Sequence, residues 1–142
     1  MPGDKVFLDT NIIIYAYDVS AEKKHETAKK IVVDLWDSGL GILSTQVLQE
    51  FFVSITKNIS KPLNVKFARG IVSDLLRWDV VVNDGQSLLE AIEIHSKYKY
   101  SFWDSMVIQA AIKGGAAFLL SEDLSGEQII GGVKIKNPFV EG

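Results

Sequence analysis

Short apolar runs alternate with amphipathic stretches along most of this chain. Residues 5–8 form an apolar run that ends at Asp9-Thr10-Asn11, a pattern typical of a buried strand followed by a polar turn. The apolar run over residues 12–17 fits either a strand or a helix. Over residues 22–37, apolar side chains recur at helical spacing and lysines fill the other face. This third pattern predicts an amphipathic helix.

The same alternation continues to the end of the chain. Further strands are predicted at residues 42–44, 79–82, 117–120 and 133–135. Helices are predicted after a cap at Ser44 or Thr45, over residues 65–78, after Asp84 or Ser87, and after Ser101. Strands that alternate with helices predict an α/β fold in which helices cover both faces of a mostly parallel central sheet. With 142 residues and no linker-like stretch, we expect one domain over residues 1–142.

Composition and charge narrow the chemistry. The absence of cysteine excludes disulfides, thiolate metal sites and a cysteine nucleophile. A net charge of −3 is unlike that of a basic nucleic-acid-binding module, so a nucleic-acid partner would require bound cations. We find no long apolar stretch and no signal-peptide pattern at the start. We therefore expect a cytoplasmic protein with no membrane partner.

Four acids occupy positions that favour a shared site. Asp9 and Asp123 follow predicted strands, and functional groups of α/β folds gather at the carboxyl ends of strands. Glu50 interrupts an apolar helix face, and Asp104 lies in the first turn of another helix. Converging carboxylates repel each other unless cations neutralise them, and oxygen ligands suit Mg²⁺ or Mn²⁺. Such a site predicts metal-assisted hydrolysis of a phosphodiester.

Each acid also has a structural interpretation. Asp9 fits ordinary turn chemistry at a strand end, and Glu50 fits a solvated charge beside an apolar face. Ser101 and Asp104 have the spacing of a capping box, in which the carboxylate serves only the helix start. Glu122 and Asp123 are adjacent, and either could be a loop acid or an N-cap. From the residues alone, these alternatives stay open.

Five segments together resemble a known family, the PIN domain, and within it the VapC-type toxin ribonucleases. They read, in chain order, VFLDTN (6–11), TQVLQEF (45–51), FWDSMVIQAA (102–111), LLSEDL (119–124) and GVKIKNPF (132–139). In this resemblance Asp9, Glu50, Asp104 and Asp123 are the catalytic and metal-binding acids. The supporting positions are Thr10, Asn11 and Ser121. The resemblance favours Asp123 over Glu122, although Glu122 could share the metal role.

The resemblance implies a fold, an activity and partners. The fold is a three-layer α/β/α sandwich with a mostly parallel sheet. The activity is that of a Mg²⁺- or Mn²⁺-dependent endoribonuclease, and the partners are an RNA substrate, a small protein antitoxin and a second copy in a homodimer. An alternative is a non-catalytic PIN-fold module that binds RNA or serves as a scaffold. A third hypothesis, an aspartyl-phosphate enzyme, is weakened because Asn11 stands where a second aspartate would be required.

Overall fold

The structure is a computed structural model that describes residues 3–124 and 128–140. Its described part contains six strands and six α-helices, with a short 3-10 turn between α1 and α2. In chain order the elements are β1 (Val6–Leu8), α1 (Thr10–Tyr17), α2 (Lys23–Ser38), β2 (Gly41–Ser44), α3 (Thr45–Lys57), α4 (Val65–Leu75), β3 (Asp79–Val81), α5 (Gly85–Tyr98), α6 (Phe102–Lys113), β4 (Phe118–Leu120), β5 (Ile129–Ile130) and β6 (Val133–Lys136).

The strands form one sheet in the order β3-β2-β1-β4-β6-β5. All neighbouring pairs are parallel except β5 with β6, which are antiparallel. Every residue of β1 and β2 is buried, because helices cover both faces of the sheet. The predicted α/β sandwich with a mostly parallel sheet is therefore confirmed.

The strand order of the sheet changes direction beside β1, which makes this position a topological switch point. From β1 the chain adds β2 and then β3 on one side, and it later returns to place β4 on the other side. Leu8 pairs with Leu120, so β1 and β4 end side by side, and Asp9 and Ser121 are the next residues on each strand. A reversal of this kind opens a crevice at the carboxyl ends of the strands. The fold thus provides a place for a site next to Asp9.

Several elements differ from the predictions or complete them. Residues 12–17 are helical, since they belong to α1. Helix α4 ends at Leu75 rather than at residue 78, because Trp78 turns back to lie over Gly41. A Cβ at Gly41 would lie 2.3 Å from the Trp78 ring, so only glycine permits this packing. The two-residue strand β5 was not predicted.

Helix α5 carries an apolar face that the core does not use. Leu88, Leu89 and Ile92 recur at helical spacing on this helix, yet all three are exposed. Instead, Ser87 and Ala91 are its buried residues. Among residues 3–124 and 128–140, no helix is both long enough and apolar enough to cross a membrane.

Candidate metal-binding cleft

Asp9 lies at the junction of β1 and α1. It is the N-cap of α1, and its Oδ1 accepts a hydrogen bond of 2.7 Å from the Thr10 backbone N–H. Its Oδ2 accepts another, also 2.7 Å long, from the Ser121 hydroxyl. Only 7% of the residue is exposed. Two hydrogen bonds therefore fix the side chain. Asp9 caps helix α1, as its structural interpretation predicted, and it also lies at the edge of the sheet, so the two interpretations are compatible.

The electrostatics of Asp9 are unusual for a carboxylate. Burial raises its pKa from 3.8 to about 6, because the charged form loses solvation. Hydrogen bonds from Ser121 and Thr10 oppose the rise, whereas the negative charges of Glu50 and Asp104 add to it. The ionised form of Asp9 is thus costly near neutral pH unless a positive charge stabilises it.

Glu50 reaches the cleft from the second turn of α3. Ser44 caps this helix, with its hydroxyl accepting from the Val47 N–H at 3.2 Å. Glu50 is exposed, as its structural interpretation predicted, but Thr10 donates a hydrogen bond of 2.7 Å from Oγ1 to Glu50 Oε1. This contact directs the carboxylate toward the start of α1 and toward Asp9.

Asp104 lies in the first turn of α6. Its backbone N–H donates to the Ser101 hydroxyl at 3.1 Å, which is the first half of a capping box. The reciprocal bond from the Ser101 backbone N–H to the Asp104 carboxylate is not among the contacts of the described residues. The carboxylate is therefore free to face the cleft, where it raises the pKa of Asp9.

The structure separates the two adjacent acids after β4. Asp123 Oδ2 accepts a hydrogen bond of 3.0 Å from Asn11 Nδ2, and Asp123 lines the cleft. Glu122 points elsewhere and forms an ion pair with Lys24 and a hydrogen bond with the Tyr15 hydroxyl. Burial raises the Glu122 pKa, but the bonds from Lys24 and Tyr15 outweigh burial and hold it below its ordinary value. Glu122 already has its partners.

All four predicted acids line one cleft of about 270 Å³. They come from four separate segments: the ends of β1 and β4 and the helices α3 and α6. Within the described part of the chain, no group of three or more acidic, histidine or cysteine side chains is close enough together to hold an ion. Mg²⁺ nevertheless keeps several waters and often takes only one or two carboxylates from a protein. The donor set therefore fits such an ion, with water completing its shell.

The cleft also contains residues that the sequence analysis did not single out. Gln46 and Ser54 of α3 line it, as do Ile14, Val107 and Trp103. Gln46 Nε2 donates a hydrogen bond of 3.4 Å to the Trp103 carbonyl, while its Oε1 is buried and has no hydrogen-bond partner among the described residues. Both residues lie within the segments that resemble the PIN domain. Gln46 lies four positions before Glu50 and Trp103 immediately before Asp104, and this closeness to predicted site acids was the only sequence signal for them.

The fold and this cleft define a small α/β domain with a carboxylate-lined site at the switch point of its sheet. The chain belongs to the PIN domain family, whose sequence model matches residues 6–128. No protein with a curated description matches the sequence.

Solved structures with similar folds include several toxin proteins. A toxin–antitoxin complex from Klebsiella pneumoniae has a TM-score of 0.68 at 18% identity, covering 95% of this chain and 98% of that one. DNA-bound VapBC from Salmonella typhimurium has a TM-score of 0.66 at 20% identity, covering 94% and 98%. VapC20 from Mycobacterium tuberculosis, a toxin that cleaves the sarcin–ricin loop, has a TM-score of 0.62 at 20% identity, covering 81% and 87%. At these identities the likeness establishes a shared fold.

Proposed function

We propose that this chain is a Mg²⁺- or Mn²⁺-dependent endoribonuclease that hydrolyses RNA phosphodiester bonds within a single nuclease domain. The observation that carries the proposal is the cleft that Asp9, Glu50, Asp104 and Asp123 line from four separate segments. A buried acid whose pKa is about 6, with two further acids raising it, favours a cation as its natural partner. The catalytic and metal-binding residues of the proposal are these four acids.

When bound, a divalent ion at this cleft supplies positive charge and activates water for attack on phosphorus. The chain's own residues set the positions of the ligands. Ser121 and the Thr10 N–H hold the two oxygens of Asp9, the Thr10 hydroxyl orients Glu50, and Asn11 orients Asp123. Partners of this kind fix ligand geometry and commonly change metal affinity or activity by about 10–100-fold when removed.

We further propose that the protein is the toxin of a toxin–antitoxin pair acting on cytoplasmic RNA. The resemblance to VapC-type ribonucleases and the shared fold with toxin–antitoxin complexes support this role. A small protein antitoxin and a homodimer are the partners it implies. Expression of the chain alone should arrest growth, and co-expression of a small protein encoded beside it should restore growth. Unimpaired growth despite soluble accumulation of the chain would contradict the toxin role.

Cleavage of single-stranded RNA by the purified chain tests the proposed activity. We expect fragments with Mg²⁺ or Mn²⁺, none with EDTA, and recovery when the metal is restored. Asp9→Asn should abolish cleavage, whereas Asp37→Asn, which alters an exposed acid of α2, should cleave like the unaltered chain. Cleavage that persists in EDTA, or in Asp9→Asn, would contradict the proposal.

One observation favours a second candidate, a PIN-fold module that binds RNA without cutting it. The described acids do not form a group of three close enough to hold an ion. Mn²⁺ titration separates the candidates, because a catalytic cleft must bind the ion and a binding module need not. RNA binding without Mn²⁺ binding or turnover would favour the second candidate.

A further inference from the structure

An exposed tryptophan stands at the mouth of the acidic cleft. Trp103 is 64% exposed, lines the cleft, and immediately precedes Asp104 in the first turn of α6. The Phe102 ring packs edge-on against it with ring centroids 5.1 Å apart, which restricts the orientation of the indole. The rest of α6 is a core helix, buried from Ser105 to Ala111. Trp103 thus differs from the other exposed apolar residues in lying directly beside the acids of the cleft, with its ring accessible.

The charge of the cleft limits how RNA can be held there. Four carboxylates line the cleft, and none of the described lining residues is a lysine or an arginine. Contacts between basic side chains and phosphates, which usually dominate nucleic-acid affinity, are therefore not available at this site. Base stacking on an aromatic ring needs no positive charge, and it contributes about tenfold or more per base in single-strand binding.

A buried polar side chain supports the turn that carries the tryptophan. Gln46 is 7% exposed, and its Nε2 donates to the Trp103 carbonyl, so α3 holds the turn that carries the indole. Its Oε1 is an acceptor with no donor among residues that the structure describes. An unpaired buried acceptor costs free energy, so the position of Gln46 beneath Trp103 does not serve the stability of the core.

We propose that Trp103 is the stacking platform for one unpaired base of the RNA substrate, next to the phosphate that faces the acids, and that Gln46 positions it. This inference rests on the proposed function, since it names the substrate contact of the same cleft. A base can stack on the indole only when it has left its own helix. The platform therefore selects single-stranded segments and loops over duplexes.

Binding and cleavage of oligoadenylate test the proposal, with an abasic oligomer of equal length as the matched probe. Trp103→Ala should weaken oligoadenylate binding in EDTA and raise KM for cleavage, each about 5–100-fold, with little change in kcat. Trp103→Phe should restore most of the affinity, whereas Trp103→Leu should not, because leucine lacks a stacking face. The abasic oligomer should bind all these variants equally weakly.

Phe67→Ala is the control variant, because Phe67 is an aromatic residue of α4 that is 60% exposed and does not line the cleft. It should bind oligoadenylate like the unaltered chain. If the unaltered chain cleaves RNA and Trp103→Ala keeps the same oligoadenylate affinity and KM, the stacking proposal is wrong and the proposed nuclease activity stands. Base-dependent binding through Trp103 without cleavage supports the platform and contradicts the nuclease. If Trp103→Ala keeps RNA affinity but loses binding to a protein partner, the ring is a protein contact and the proposal is wrong.

Discussion

Ser121 donates a hydrogen bond of 2.7 Å from its hydroxyl to Asp9 Oδ2, joining the end of β4 to the end of β1. The same hydroxyl oxygen accepts from the backbone N–H groups of Asp123 and Leu124 at 3.2 and 3.3 Å. Ser121 is fully buried. A single hydroxyl therefore fixes both the buried acid and the turn that carries the fourth acid.

Removing this hydroxyl should weaken metal binding. Ser121→Ala deletes a bond that lowers the pKa of Asp9, so that pKa should rise further and protons should compete better with the ion. We expect Mn²⁺ affinity to fall about 10–100-fold, measured by electron paramagnetic resonance. The free energy of unfolding should fall by about 1–3 kcal/mol. Ser20→Ala, at an exposed serine, is the control, and unchanged Mn²⁺ affinity in Ser121→Ala would contradict this account of Ser121.

The raised pKa of Asp9 predicts a pH dependence of stability in the metal-free protein. In the folded state the Asp9 carboxyl keeps its proton up to about pH 6, whereas in the unfolded chain it loses the proton near pH 3.8. The stability contribution of this group is therefore complete below 3.8 and is lost as the pH rises to about 6. The total loss is about 3 kcal/mol, since one pKa unit corresponds to about 1.4 kcal/mol.

Asp9→Asn isolates that contribution from those of other carboxylates. The difference in unfolding free energy between Asp9→Asn and the unaltered chain should grow in favour of the variant as the pH rises through this window. Denaturant unfolding in EDTA at a series of pH values measures it. Mn²⁺ should reverse the order by stabilising only the unaltered chain. A difference that does not vary with pH would show that Asp9 is not protonated by burial.

The two adjacent acids after β4 should differ sharply in their effects. Asp123→Asn removes a charge from the cleft and should lower Mn²⁺ affinity and RNA cleavage by about tenfold or more. Glu122→Gln removes a partly exposed ion pair with Lys24, which typically contributes about 0–1 kcal/mol, and keeps an oxygen that can accept from the Tyr15 hydroxyl. This variant should cleave within a few-fold of the unaltered chain. Steady-state cleavage rates of the two variants decide the matter. Equal losses would mean that Glu122 shares the metal role.

Gln46 should show a conflict between stability and function. Gln46→Met keeps the length of the side chain but removes the unpaired buried Oε1, together with a long hydrogen bond of 3.4 Å. We expect thermal stability to hold or rise, by up to about 1 kcal/mol, because the buried acceptor costs free energy. Oligoadenylate affinity should fall because the Trp103 turn loses its support. Loss of stability with unchanged affinity would assign Gln46 to the core instead.

The sequence pattern predicted the main strands of the sheet better than it predicted strand β5 and the end of helix α4. The strands β1, β2, β3, β4 and β6 are short apolar runs with polar ends, and local pattern suffices to locate them. The two residues of β5 are too few to give a pattern, and their pairing with β6 is a tertiary contact. The end of α4 likewise depends on Trp78 packing over Gly41, which lie far apart in the sequence.

The site could be predicted only in part, for a similar reason. Strand ends and motif order predicted Asp9, Glu50, Asp104 and Asp123 as site residues, and all four line the cleft. The choice between Asp123 and Glu122 depends on Lys24 and Tyr15, which bind Glu122 from α2 and α1 and hold it away from the cleft. Trp103 is a large apolar residue in a helix that is otherwise buried, and only the packing of α6 shows that its ring is exposed. Long-range contacts of this kind leave no local pattern.

A crystal structure after soaking in Mn²⁺ tests the central claim most directly, because the anomalous signal locates the ion independently of activity. We predict an ion in the cleft about 2.0–2.3 Å from an oxygen of Asp9, with further ligands drawn from Glu50, Asp104, Asp123 and water. The same soak of Asp9→Asn crystals should show no ion. An ion bound elsewhere, or a cleft that stays empty at saturating Mn²⁺, would contradict the claim that these four acids form a metal-dependent nuclease site.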